Sequence, residues 1–304
     1  MLKNDIFFAF RQFRNNRVFT LINVLGLSLS MVATLLIFKY VAYEKSYDRF
    51  HREDENVYRI FRQDLNEVGT NEGLAQVFAG IAPMAKVEIP EFEYVSRFIS
   101  WDKIFQSFAL SHQPQEGDSR TFNIDKAFYA ETDAFEVLGF EWTDESKTPS
   151  LDEPGDIVIS REVANRFFGD ENAVGRILRF KNQAMDMKVT GVFEGFPPNT
   201  HFKIDVMCSM ASLPAQWNLD NSFNWGNFYT YVRLSDDADV LQVEQKLNQL
   251  LKDRGTWFDE AGVSFTFMPI RDIHLQSVQT FDLEANGSEV TVTFLSIVGI
   301  FIML

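Results

Sequence analysis

Apolar positions cluster in two ways along the 304-residue chain, as long unbroken runs at the ends and as short periodic stretches between them. Residues 18–43, VFTLINVLGLSLSMVATLLIFKYVAY, are interrupted only by Asn23, Lys39 and a few hydroxyls. About twenty apolar residues cross a bilayer as a helix, whereas a signal-peptide core has only about 7 to 15. Cleavage is not expected either, because Met31 and Tyr40 stand two positions before Ala33 and Ala42, where a small residue is needed. The run therefore predicts a transmembrane helix. A second uncharged run, VTVTFLSIVGIFIML at 290–304, would form a helix of roughly 22 Å, short of the roughly 30 Å hydrocarbon core. It is expected to be the start of a second span inside which the sequence stops.

Between the runs the period changes. NVYRIFRQ (56–63) and YVSRFIS (94–100) read as strands on either side of a helical stretch with Leu74, Phe78, Ile81 and Ala85 on one face. NFYTYVRL (227–234) and VSFTFMPI (263–270) alternate as strands do, and flank a helix with Val240, Val243, Leu247 and Leu250 on one stripe. Two β-α-β units suggest a split, ferredoxin-like arrangement. The intervening 103–225 is richer in Gly, Pro, Asp and Asn, and reads as an inserted subdomain. Within it, GDIVISREVANRFFG predicts a strand, an N-cap at Ser160, a short helix and a stop at Gly169. The fold class is α+β. The expected partition is a leader at 1–17, a span at 18–43, a split subdomain at 44–102 and 226–285, an insertion at 103–225, and the second span from 290.

Charge adds direction. Lys3, Arg11, Arg14 and Arg17 precede the first span with only Asp5 against them, so the N-terminus is expected inside. In DIFFAFRQFRNNR, Ile6, Phe10 and Phe13 recur at helical spacing while Arg11 and Arg14 turn to another face, the pattern of an interfacial amphipathic helix. The span and all that follows carry 24 basic and 42 acidic residues, a net charge of −18 that faces outward. Such a balance disfavours nucleic acid as a partner.

Chemistry is sparse. GDENAVGRI has five residues between its glycines, Arg176 where a P-loop has lysine, and Ile177 where magnesium needs a hydroxyl. His51, His112, His201 and His274 are scattered, and Cys208 is the one cysteine, so neither a metal cluster nor an internal disulfide is expected. No G-x-S-x-G elbow occurs. No catalytic residue, cofactor or metal is assigned. Asn23, Gly26, Ser30 and Ala33 do form one stripe of small or polar side chains on the first span, the kind of surface on which membrane helices pack closely.

Several stretches in order resemble the MacB/FtsX type of ABC transporter permease: NRVFTLINVLGLSLSMVATLLIFKYVAYEKSYDRFH, KAFYAETDAFEVLGF, DIVISREVANRFFGDENAVGRIL, VTGVFEGFPPNTHF, WGNFYTYVRL and PIRDIHL. The resemblance implies a porter-like periplasmic subdomain interrupted by an inserted one. It also implies a cytoplasmic ABC ATPase as a separate subunit, since Met1 leaves no room for a fused one. Action as a homodimer or as two internal copies, location in the bacterial inner membrane and a periplasmic or outer-membrane partner follow from the same likeness, as do peptide, macrolide or lipoprotein substrates. A two-span sensory receptor has the same outline, and an anchored scaffold or adhesion domain has no repeat or disulfide pattern to support it.

Overall fold

The computed structural model describes residues 16–50, 54–64, 73–113, 118–181, 184–255 and 257–303. Of these, residues 16–46 and 287–303 form one compact unit, and those within 47–286 form another. The first unit contains helix α1 (Arg17–Glu44), the one described helix both long and apolar enough to cross a membrane.

The unit 47–286 is a mixed sheet with helices. Its strands and helices in chain order are β1 (Val57–Asp64), β2 (Gly73–Leu74), α2 (Ile81–Glu88), β3 (Phe92–Ser100), β4 (Ala109–His112), β5 (Arg120–Asn123), β6 (Ala127–Ala130), α3 (Ala134–Leu138), β7 (Asp156–Ser160), α4 (Arg161–Phe168), β8 (Ile177–Phe180), β9 (Met185–Phe193), β10 (Val206–Ser209), β11 (Tyr229–Leu234), α5 (Val240–Asp253), α6 (Phe258–Ala261), β12 (Val263–Pro269) and α7 (Ile273–Gln276). The strand order is β12-β1-β11-β3-β6-β10-β7-β9-β8-β4-β5, with β2 paired to β1. At the β12 end the two β-α-β units interleave, β11 lying between β1 and β3, and β1 between β11 and β12. The far end of β3 then passes the sheet on to β6, through Ile99 opposite Tyr129 and Ser100 opposite Phe128.

Local chemistry explains the elements. In α5 the Asp239 side chain accepts from the N–H groups of Leu241 and Gln242, and Val243, Leu247 and Leu251 are buried at every fourth position. Each such burial is worth about 1.5–3 kcal/mol. In α4 the Ser160 hydroxyl accepts from Val163 N–H, and Gly169 ends the helix at φ +66°, where a side chain would be strained. One expectation fails. The helix drawn through Leu74 and Phe78 begins only at Ile81, because Ala75 and Val77 donate their N–H groups to Thr280 and Phe228 across the fold. Tertiary pairing has taken the donors that a helix would need.

The β12 edge is closed by side chains. Asn248 of α5 donates to the Phe265 carbonyl at 2.8 Å and accepts from its N–H at 2.9 Å, Glu244 accepts from Phe267 N–H at 3.1 Å, and Pro269 has no N–H. Burial raises the Glu244 pKa, and the Phe267 N–H opposes that rise. Helix α8 (Glu289–Met303) returns to the first unit and packs on α1: a Cβ at Gly299 would lie 3.2 Å from both Ile37 and the Phe38 ring.

Candidate functional site

Strand β11 is buried on both faces, and the face carrying Tyr229 and Tyr231 is the base of a polar cluster within an otherwise apolar core. Arg59 of β1 sits directly opposite Tyr231. Two segments converge there. One directly follows α1 and the other directly precedes α8.

Asp48 stands four residues after the last residue of α1, fully buried and at φ +58°. Its carboxylate accepts from the Thr200 hydroxyl at 2.9 Å and from His201 N–H at 3.1 Å, while its own N–H donates to the Asn199 carbonyl at 3.1 Å. The His201 ring lies between Asp48 and Tyr231, with Nδ1 2.9 Å from the carboxylate and Nε2 2.8 Å from the Tyr231 hydroxyl. The contact of Nδ1 with Asp48 is a close approach that lacks the alignment of a hydrogen bond. On either side Tyr47 stacks on His274 at 3.4 Å between ring centroids, and Phe50 meets Phe196 at 5.9 Å. The segment that enters from α1 is thereby clamped over four residues.

The other segment is held through Arg59, which is fully buried. Its guanidinium pairs with Asp282 and donates to the Ser277 hydroxyl at 2.9 Å. Ser277 donates to Asp282 at 2.6 Å, and Asn286 donates to the Ser277 carbonyl at 3.0 Å and to Asp282. Tyr229 completes the hold: its hydroxyl donates to the Phe281 carbonyl at 2.7 Å and accepts from Gln76 at 3.1 Å. Burial pushes the Tyr229 hydroxyl up to about 12, with the Gln76 donor working against it, and burial likewise raises Tyr231. Of two tyrosines at alternate positions of one strand, Tyr229 thus holds the segment that leads to α8 directly, and Tyr231 holds His201, whose loop binds Asp48.

A second polar cluster surrounds Arg97 on β3. Its guanidinium reaches Glu131 at 2.6 Å, the Ala79 carbonyl at 2.8 Å and Asp220, at the edge of a cleft of about 500 Å³ that also meets Asp152, Met210 and Leu213.

Of the residues singled out in the sequence, Arg11 and Arg14 lie outside the described residues, and Arg17 opens α1 as an exposed side chain. Asn23 and Gly26 are exposed, Ser30 is half-buried and donates to the Gly26 carbonyl at 2.7 Å, and Ala33 is half-buried beside buried Thr34. The cluster on β11 was not singled out. SYDRFH and PPNTHF each contain one half of the Asp48–His201 pair, and a buried residue type at the second alternating set of β11 was the available signal.

A family model described as the MacB-like periplasmic core domain matches residues 20–250, well over half of the chain. The chain belongs to that family. No curated protein matches it. Among solved structures, a domain assigned as a permease protein from Porphyromonas gingivalis is similar at TM-score 0.57 and 18% identity, covering 80% of this chain and 97% of that one. The periplasmic region of MacB from Actinobacillus actinomycetemcomitans (TM-score 0.46, 16% identity, 72% and 90% covered) is similar too. So is the extracellular domain of the ABC-type transporter YknZ from Gram-positive bacteria (0.45, 14%, 70% and 100%). The first of these shares the fold. Members of this family are permease components of ABC transporters, and here the domain is preceded by α1, a helix long and apolar enough to cross a membrane.

Proposed function

We propose that this MacB-type chain converts ATP hydrolysis by a cytoplasmic partner subunit into motion of the unit 47–286, in export or extraction of a peptide, macrolide or lipoprotein-class substrate. In this reading the N-terminus is inside, the acidic unit lies in the periplasm of a cell with an inner membrane, and α8 begins a second span. Two copies, as a homodimer or an internal repeat, act together. Residues 44–102 and 226–285 form the porter-like part and 103–225 the inserted one.

The observation that carries this reading is the polar cluster on β1 and β11. A passive anchor needs one flexible link. Here both segments leading to the end helices are fixed within the unit 47–286 by buried polar contacts, Asp48 to the loop at 199–201 and Asp282 to Arg59 of β1, so in this reading a displacement of either helix is passed to that unit. Transmission requires that the segments leading from the helices be held in this way. Ser30 and Ala33 on α1, with Gly26 and Asn23 one and two turns earlier, supply the surface on which further helices pack closely.

The test uses the full-length protein with its ATPase in proteoliposomes. Tyr229→Phe combined with Tyr231→Phe removes both hydroxyl contacts while keeping the rings. Membrane abundance should be normal, ATP hydrolysis should continue, and transport per ATP should fall severalfold. Gly26→Leu with Ser30→Leu should uncouple in the same way. Unchanged transport per ATP in both would overturn the transmission reading, and a response of a downstream kinase in place of transport would favour the receptor.

A further inference from the structure

Among the large apolar side chains exposed on the unit 47–286, Val278 and Phe281 are three residues apart, each 57% accessible. Phe281 has φ +64°, a region that a side chain bearing a Cβ rarely adopts. Strain of this kind persists only where the surroundings fix it. They do so on every side: the Phe281 carbonyl is held by the buried Tyr229 hydroxyl, Thr280 exchanges backbone bonds with Gly73 and Ala75 at 2.8 and 3.0 Å, and Ser277 and Asp282 are bound by Arg59. The loop is rigid, and its rigidity turns a phenyl ring toward solvent.

Its place in the chain says what that ring meets. Asn286 is tied back to Ser277 and Asp282, so the chain leaves the loop beside Val278 and Phe281. Glu289 follows three residues later as the first residue of α8, and the uncharged run starts at Val290. Three residues reach at most about 11 Å. The geometry points to Val278 and Phe281 as a lipid contact, a small apolar tooth seated at the boundary between headgroups and acyl chains of the leaflet that α8 enters. Aromatic side chains favour that depth. Val278 and Phe281 carry no charge themselves, and nearby Lys203 is matched by Glu284 at 2.9 Å and Asp282 by Arg59. The contact is apolar, suits zwitterionic lipid, and is insensitive to salt. It rests on the reading of α8 as a membrane helix and is independent of transport.

The experiment places the full-length protein in nanodiscs of zwitterionic phospholipid, with Phe281→Cys and Val278→Cys made separately and labelled with a polarity-sensitive fluorophore. Val87→Cys on α2, where the native side chain is 81% exposed, is the reference, and Cys208 is fully buried and escapes labelling. Labels at 281 and 278 should be blue-shifted relative to 87, and quenched severalfold more by lipids carrying a nitroxide high on the acyl chain, with no change at high salt. Quenching equal to that at Val87 would overturn the lipid contact. Shielding from both the lipid nitroxide and aqueous iodide would also overturn it, since a protein surface would then cover the loop. Position 278 keeps the test decisive if the substitution at 281 alters the backbone there.

Discussion

Arg59 and Arg97 occupy the same sheet two strands apart, both with nearly the whole guanidinium out of water, yet they are embedded differently. The carboxylate of Asp282 that faces Arg59 is only 8% exposed, whereas the partners of Arg97 are 33% exposed at Glu131 and 68% at Asp220. Burial pulls the Arg97 pKa down, but Glu131 and Asp220 outweigh it and leave it raised. One arginine is thus sealed into a cluster that fixes the segment leading to α8, and the other is neutralised at the rim of an open cleft. The difference teaches that the same residue on adjacent parts of one sheet can be a constraint or an accommodation, according to whether water can replace its partner. A sealed pair is costly to break because the surviving charge has nowhere to go.

The largest expected effect is therefore at the sealed site. Asp282→Ala should destabilise the unit 47–286 by about 3–5 kcal/mol, read as a shift in the urea midpoint of the full-length protein, and a loss no larger than at Arg97 would erase the contrast. Next comes Asp48→Asn, which keeps an acceptor for Thr200 and His201 N–H but removes the charge facing the imidazole. A cost of about 1–3 kcal/mol is expected, with hydrogen exchange rising first in the segment around residues 47–50.

Tyr229→Phe should cost about 1 kcal/mol near neutral pH, and its signature is alkaline. A hydroxyl whose pKa is raised from 10 to about 12 keeps its proton longer in the folded state, so stability is complete below pH 10 and is lost as pH climbs from 10 through 12. The phenylalanine variant should unfold less steeply over that interval, and an unaltered slope would mean that Tyr229 does not titrate there. The smallest effect belongs to the open site: Asp220→Asn should change stability by less than about 1 kcal/mol, and half-molar salt should alter the wild-type Arg97 cluster more than the Arg59 cluster in hydrogen exchange.

Why one cluster was invisible in the sequence follows from the same contrast. Period and composition mark elements: the apolar run at 18–43 became Arg17–Glu44, and Val243 and Leu247 are buried on α5 as their spacing required. Alternation also suggested the interleaved strands, since each β-α-β unit is local in the chain. The polar cluster is not local. Asp48 meets a histidine 153 positions away and Arg59 an aspartate 223 positions away, and a lone His or Arg in a loop or strand carries no sign of its distant partner. On β11 the apolar set at Phe228, Thr230, Val232 and Leu234 was legible, but the tyrosines between them resemble a solvent-facing set until β1 and the loop at 199–202 are laid over them. The premature start of the helix at Leu74 has the same cause, because the backbone partners that keep residues 75 and 77 extended lie about 150 to 205 positions downstream.

The closed β12 edge sets a rule for how two copies can meet. Asn248 and Glu244 occupy the hydrogen-bonding positions that a visiting strand would need, and Pro269 offers none. A neighbour cannot extend the sheet from that side, so the ladder stops growing there in a crowded compartment where open edges template aggregates. At that edge any recognition between chains is left to side chains, which differ from protein to protein, and not to backbone, which does not.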